Sequence, residues 1–380
     1  MKGIVVPFNR PEWSGQELAF MEKAMATGCV AGNGPFTKKS QEFLELCLAK
    51  QSKALLTTSC THALEMSAIL LDLEPGDEVI VPSYTFVSTA LAFVMHGGTP
   101  VFADIRPDTL NIDERHIERL ITDRTRAIVP VHYAGIACEM DAIMSIAERY
   151  DLVVIEDNAH GIFGQYNKRK LGSIGHMATL SFHETKNITC GEGGALIIND
   201  NKYSERAEII WEKGTNRSQF RKGCIDKYTW LDKGSSYLMS DILAACLYGQ
   251  LSRSDDIQAM RKILWDRYNK ELAGWSDSHN IQLPCVPDDC EQSYHMFYML
   301  MPSEKERNEL MLYMEKQGIG AAFHYLPLHD SLMAKKIAGN RSECPVARDV
   351  SKRIIRLPLY SGLTIEEQDY VIRVATSFRL

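Results

Sequence analysis

Leu152-Val153-Val154-Ile155 is a run of four apolar residues closed by Glu156 and Asp157. A strand with one wet face alternates apolar and polar residues, whereas an uninterrupted apolar run marks a strand buried on both faces. The flanking chain reads the same way. Residues 78–82, 100–104, 126–132 and 152–156 read as strands, and 85–96, 113–122 and 139–150 as helices, with Asp113 as a helix cap. Strand–helix–strand alternation predicts an α/β sheet with right-handed crossovers.

The pattern changes after Ile174. Residues 177–182 and 194–198 predict two strands joined by a Gly-rich connection, and a mainly helical stretch runs from Ser240 to about Glu271. A strand (294–301), a helix (303–317), a strand (319–325) and two helices follow, the last opened by Thr364 and Glu367 at capping-box spacing. The expected organisation is a large α/β domain over 1–250 and a smaller α+β domain over 251–380, with the boundary near Leu251. A length of 380 residues suits two domains.

The formal net charge of −7 argues against nonspecific nucleic-acid binding, which needs a basic field. Residues 1–10 lack the apolar core of a signal peptide, and no apolar run approaches the ~20 residues that span a bilayer. The expectation is a cytoplasmic protein with no membrane or nucleic-acid partner. Its ten cysteines include no C-x-x-C pair, so zinc and iron–sulfur centres have no ready ligand set and reduced thiols are expected.

Three features fall where an α/β fold places ligands, at the carboxyl ends of strands. Thr57-Thr58-Ser59-Cys60-Thr61 precedes a helix-like run, and small hydroxyl residues at a helix start leave amides free for a phosphate. Asp157 follows a buried strand, where a carboxylate can pair with a cationic ring nitrogen. Ser181-Phe182-His183-Glu184-Thr185-Lys186-Asn187 leads into Gly191-Glu192-Gly193-Gly194. A lysine leaving a buried strand has its amine pushed toward the unprotonated, nucleophilic form, and the glycines let backbone approach a flat ligand. Ser181 offers a further hydrogen bond to phosphate, and Phe86, just after strand 78–82, offers a ring to stack on a flat aromatic cofactor. Taken singly, these features have ordinary readings: an N-cap, a surface acid, a packing histidine at His160, a solvated lysine. Their order along the chain, each at a strand end, points to pyridoxal phosphate (PLP).

At these residues the sequence resembles the DegT/DnrJ/EryC1/StrS family of PLP-dependent sugar aminotransferases, over essentially the whole chain. The resemblance is carried by Pro82-Ser83-Tyr84-Thr85-Phe86-Val87-Ser88-Thr89, by Glu156-Asp157-Asn158-Ala159-His160-Gly161 and by residues 181–194. It implies the type I aminotransferase fold, with a mixed, mostly parallel sheet, and a homodimer with active sites at the interface. By position, it implies that Lys186 holds the cofactor covalently and moves protons, that Asp157 meets the pyridine nitrogen, and that Phe86 stacks on the ring with His160 beside it. It likewise implies that Ser59, the amides of Cys60 and Thr61, Ser181 and Asn187 belong to the cofactor site.

Residues 213–220, 226–230 and 324–329 are similar to one branch of the family, whose members form dTDP-4-amino-4,6-dideoxygalactose for enterobacterial common antigen. That branch implies dTDP-4-keto-6-deoxyglucose and L-glutamate as substrates, with Lys213, Arg217, His324, Tyr325 and His329 on the substrate side. The basic loop with Lys213, Arg217, Arg221 and Lys222 is expected to face a diphosphate, that of a partner subunit included. Leu238 stands where many relatives carry an asparagine that reaches the neighbour's phosphate, so that contact is expected to be missing. Keto-sugar dehydratases of the same fold replace the lysine or add an iron–sulfur cluster; Lys186 and the scattered cysteines favour amination. A metal hydrolase built on His132, Asp157, His160 and His183 would leave the lysine turn idle, and a PLP-binding regulator would need a DNA-binding appendage.

Overall fold

The computed structural model describes residues 5–49, 51–338 and 342–379. Its centre is a sheet of seven strands: β1 (Lys53–Thr57), β2 (Glu78–Pro82), β3 (Thr99–Ala103), β4 (Thr125–Ile128) and β5 (Val153–Asp157), then, after the short ribbon β6 (Gln165–Tyr166) and β7 (Arg169–Lys170), β8 (Met177–Ser181) and β9 (Gly194–Ile198). The spatial order is β1-β9-β8-β5-β4-β2-β3. The neighbours from β8 to β3 are parallel, and β9 runs antiparallel to both β8 and β1. The sheet is thus mixed and mostly parallel, and β2, β8 and β9 are buried along their whole length.

Register decides where the site lies. Thr57 and Ser181 both face Gly194, and Asp157 faces Thr179. The carboxyl ends of β1, β8 and β5 therefore share one edge of the sheet.

Helices α1 (Gln16–Ala26), α2 (Pro35–Leu48), α3 (Cys60–Leu70), α4 (Ser88–Met95), α5 (Glu114–Ile117) and α6 (Met140–Arg149) belong to the first half. They are followed by α7 (Ser204–Trp211), α8 (Arg217–Arg221), α9 (Asp241–Leu251) and the 25-residue α10 (Ser254–Ser278). The chain then forms β10 (Cys290–Glu291), which pairs with β6, and β11 (Phe297–Leu300), α11 (Glu304–Lys316), α12 (Leu332–Ala338), α13 (Pro345–Arg353), β12 (Ile354–Leu357) and α14 (Ile365–Ser377). Strands β11 and β12 pair antiparallel. Around them Trp265, Tyr268, Phe297, Met299, Ile355 and Val371 form a separate core, which Val6 joins from the start of the chain.

Several elements differ from their sequence reading. Residues 319–325 are not a strand: Gly320 N–H donates to Val6 and Ala322 N–H to Arg356, giving two isolated bridges on different partners instead of one ladder. Three helices follow, with β12 between the last two. The helix expected over 85–96 starts at Ser88, and that over 113–122 is one α turn followed by a 3-10 turn at Glu118–Leu120. The capping signals read correctly. Asp113 accepts from the Arg115 amide, and Thr364 and Glu367 make the reciprocal capping box.

Candidate active site

A cavity of about 400 Å³ opens at the shared strand edge, and Ser59, Cys60, Thr61, Phe86, Asp157, His160, Ser181, Lys186, His324 and Tyr325 all line it. These residues come from five segments, four of which end or follow strands of the large sheet, because like-directed strands deliver their following loops to the same side.

The phosphate-sized corner is built on α3. Ser59 caps the helix, its hydroxyl accepting from the His62 amide at 3.1 Å. The amides of Cys60 and Thr61 have no hydrogen-bond partner among the described residues. Free amides at a helix start, with the dipole's positive end, form an anion cup. Gly194 is what lets β9 approach this turn: a Cβ there would sit 2.4 Å from the Cys60 nitrogen and from the Ser59 carbonyl carbon. Ser181, across from Gly194 at the end of β8, is buried and completes the corner.

Asp157 ends β5 in a buried position. Thr89 Oγ1 donates to its Oδ2 at 2.8 Å, the Ala159 amide donates to Oδ1 at 3.2 Å, and Thr85 holds Thr89 in turn at 2.8 Å. Burial pushes the carboxyl's pKa up despite these bonds. An acid fixed this firmly and short of positive charge suits a protonated ring nitrogen.

Lys186 sits in the turn after β8, its amide bonded to the His183 carbonyl at 2.9 Å. It keeps part of its surface on the cavity, and the protein around it pushes the amine down to about 8, with the Arg356 charge acting the same way and Asp157 opposing. Reloading of cofactor-free protein with PLP is therefore expected to speed up about tenfold per pH unit below 8 and to level off above it, because only the unprotonated amine attacks an aldehyde. A stopped-flow absorbance series across pH checks this; a profile still rising at pH 10 would mean an ordinary lysine.

Phe86 is 56% exposed at the cavity, its ring 6.0 Å from that of Tyr325. The Tyr325 hydroxyl is 3.4 Å from His160 Nε2. His160 stacks on His295 at 4.4 Å, and burial holds both well below the usual histidine range, so the pair is neutral. His295 is absent from the sequence reading; it lies in a Tyr294-His295-Met296 run that looks like ordinary core.

Other expected residues lie elsewhere. Asn187 does not line the cavity. It is buried behind it, donating to the Ser293 carbonyl at 2.7 Å and to Gln258 at 3.0 Å, and its Oδ1 is 2.9 Å from His295 Nδ1, so it orients the histidine stack. His329 also lies off the cavity, buried with Nδ1 2.6 Å from the Ser83 hydroxyl and Nε2 3.0 Å from Arg348. Lys213 and Arg217 are outside the cavity of their own chain. Arg217 lies over Tyr228 at 5.8 Å, while Arg221 and Lys222 pair with Glu212 and Glu208. Leu238 bridges to Thr57 beside the phosphate corner and packs on Gly32. Arg356 and Thr89 line the cavity without having been read from the sequence. The signal for Arg356 was there: an arginine inside the apolar run Ile354-Ile355-Arg356-Leu357, all four buried.

The four residues of the hydrolase alternative do not form a centre. His132 is bonded to Glu156 at 2.9 Å, and His183 turns to Thr185 at 3.0 Å. Among the described residues no group of three or more His, Cys, Asp or Glu is arranged to hold a metal, and no helix is long and apolar enough to cross a membrane.

A mixed, mostly parallel sheet with a helix-start cup, a buried acid and a pKa-lowered lysine at adjoining strand ends is the arrangement of an aminotransferase. The chain belongs to the DegT/DnrJ/EryC1/StrS aminotransferase family, whose sequence profile matches residues 12–375. Among curated proteins it is 32% identical over 376 residues to the spore coat polysaccharide biosynthesis protein SpsC of Bacillus subtilis, covering 97% of this chain and 95% of SpsC. Among solved structures it is similar to Spr1654 of Streptococcus pneumoniae, provisionally named a sugar aminotransferase, in its PLP form. The TM-score is 0.89 at 29% identity, with 98% of each chain covered. It is also similar to PseC of Helicobacter pylori, an aminotransferase of pseudoaminic acid biosynthesis (TM-score 0.89, 25% identity, 97% and 98% covered).

Proposed function

We propose that this chain transfers the amino group of L-glutamate to the keto carbon of a nucleotide-linked sugar, releasing 2-oxoglutarate. The observation that carries this reading is the meeting of Lys186, Asp157 and the free amides of Cys60 and Thr61 in one cavity. SpsC, which serves spore coat polysaccharide biosynthesis, and Spr1654, provisionally named a sugar aminotransferase, support a sugar as acceptor.

PLP is the cofactor, and the residues fit it. The α3 cup and Ser181 would take its phosphate, Asp157 its ring nitrogen, Phe86 one ring face, and Lys186 its aldehyde. Bound there, PLP supplies the carbonyl that accepts the donor's nitrogen and the electron sink that lets the donor's Cα–H bond break. The protein's own part is then positioning and proton movement. Lys186 would carry the proton off the donor Cα; an amine near pKa 8 is matched to that task at neutral pH. Asp157, fixed by Thr89 and Ala159, would balance the charge of the ring nitrogen. The neutral His160–His295 stack closes one side of the cavity without adding a positive charge next to Lys186.

The finer reading is dTDP-4-keto-6-deoxyglucose as acceptor and the 4-amino-4,6-dideoxygalactose nucleotide as product. The runs 213–220, 226–230 and 324–329 support it. Amination at C3 and the gluco epimer are its competitors. Incubation with glutamate and a panel of 3-keto and 4-keto dTDP sugars, with NMR of the product, separates them; a dehydrated product would point to the dehydratase relatives instead.

A homodimer with shared sites accounts for the basic loop. Arg217 and Lys213 have no carboxylate partner among the described residues and do not line their own cavity, which suits cations meant for a neighbour's substrate. Arg217→Ala is expected to raise KM for the sugar nucleotide about tenfold while leaving kcat and the KM for glutamate near wild type, as loss of one charge-assisted contact predicts. Steady-state kinetics check this, and an unchanged sugar-nucleotide KM removes the residue from the diphosphate site.

A further inference from the structure

A separate cavity of about 480 Å³ is lined by α11 and residues 319–323. It shares no lining residue with the active-site cavity: Phe323 lines the one, His324 and Tyr325 the other. Met311, Leu312, Ile319, Ala321 and Phe323 make its walls apolar, and Leu312 and Phe323 are 50% and 42% exposed. Arg307 is set among them and is 8% exposed.

This arginine has no partner for its charge. Its Nε is buried without a hydrogen bond, and its side chain makes no ion pair among the described residues. Glu304, one turn earlier on α11, reaches Lys352 at 3.9 Å instead. The Arg307 guanidinium lies over the Phe323 ring at 5.5 Å, which covers one face and leaves the donors at its edge unused. Arg261, also buried, shows how this fold satisfies a guanidinium without an anion: it donates to the carbonyls of Tyr294, His295 and Leu359. Nothing of the kind surrounds Arg307. Burial pushes its pKa down, yet an arginine keeps its proton in a protein. A buried charge with neither counter-ion nor acceptor is costly unless an anion arrives.

The shape of the cavity narrows the anion. Arg307, Met311 and Glu315 follow one another at four-residue steps on one face of α11, so the floor runs about 12 Å from the guanidinium to the exposed Glu315. One positive charge stands at one end, apolar surface fills the middle, and an acid stands at the other end. A diphosphate would bring more negative charge than one guanidinium balances, with Glu315 repelling the excess.

We propose that this cavity is a binding site, distinct from the active site, for a monocarboxylate with an apolar tail. Arg307 takes the carboxylate through its in-plane N–H donors, and the wall from Met311 to Phe323 takes the tail. The site does not depend on the aminotransferase chemistry, although Phe323 directly precedes the two active-site residues His324 and Tyr325.

The test uses the PLP-loaded enzyme, hexanoate as probe, and NMR of isotope-labelled methionine methyl groups, with Met311→Leu identifying the Met311 signal. Hexanoate is expected to shift that signal saturably, with a midpoint of about 1–10 mM for so small a ligand. Acetate lacks four CH₂ groups and hexanamide lacks the charge. Each is expected to bind at least about tenfold more weakly, since one buried CH₂ is worth about fourfold and a charge-assisted pair more. Arg307→Gln is expected to weaken hexanoate at least about tenfold. Leu312→Glu, at a half-exposed position, sets another acid against the carboxylate and is expected to weaken hexanoate at least about threefold, while the cofactor spectrum stays that of wild type. It takes the place of Arg307→Gln if that variant does not fold. A Met311 signal that does not move up to about 50 mM hexanoate overturns the proposal. So does equal binding of hexanamide, or hexanoate binding that Arg307→Gln leaves within about twofold of wild type.

Discussion

Replacing Lys186 with alanine is expected to lower turnover at least about 10⁴-fold, the upper range for loss of a positioned proton carrier, with loss of the covalent hold on the cofactor in addition. The fold should survive. The amine makes no hydrogen bond or ion pair among the described residues, and its lowered pKa means that the surroundings already disfavour its charge. Removing it leaves no polar partner stranded. Single-turnover kinetics with glutamate, beside a thermal melt and a circular dichroism spectrum, check both halves of the statement. A variant retaining a tenth of wild-type activity would place the proton carrier elsewhere.

Asp157→Asn is expected to lower turnover roughly 10²–10³-fold, the size of losing one aimed charge in a dry site. The amide is nearly isosteric, but it cannot balance a protonated ring nitrogen. Of the two contacts, the one with Thr89 can survive because a hydroxyl can donate to the amide oxygen, and Thr85 still holds Thr89. The cofactor-free protein should not lose stability at neutral pH. The native carboxyl's pKa is raised, so its charged form is disfavoured by folding, and removing that charge removes a penalty that grows as pH rises. The measurements are kcat, the cofactor's dissociation constant and the melting temperature of the cofactor-free protein. Loss of activity without weaker cofactor binding would fit a purely electronic role for the acid.

The central sheet was legible because its strands are buried on both faces and so are written as apolar runs. Glu78–Pro82 and Gly194–Ile198 have the bounds the sequence suggested. Strand β1 (Lys53–Thr57) and helices α1 and α2 escaped notice: β1 holds only three apolar residues, and α1 has no side-chain cap to announce it. The 319–325 segment misled because strand-like composition does not reveal that successive amides will find different partners. At the site, residues adjacent to strand ends were readable, since topology alone delivers Ser59, Asp157, Ser181 and Lys186 to one edge. Residues that arrive from 100 or more positions away were not. His295 stacks on His160 from more than 100 positions away, and Arg356 reaches the cavity beside His324 through the isolated bridge of Ala322 to Arg356; neither contact leaves a local signature. Asn187 and His329 show the reverse: both lie in chemistry-rich runs, yet their side chains are spent on neighbouring residues behind the cavity.

The most direct measurement is an absorbance spectrum of the purified, PLP-loaded protein before and after L-glutamate, with Lys186→Ala measured alongside. The account predicts a visible band in the wild type that disappears on adding glutamate, with 2-oxoglutarate released in proportion, returns with a keto-sugar nucleotide, and shows no such response in the variant. No visible band after PLP is added, or a band that Lys186→Ala leaves responsive to glutamate, would contradict the claim that Lys186 and this cavity carry out amino transfer.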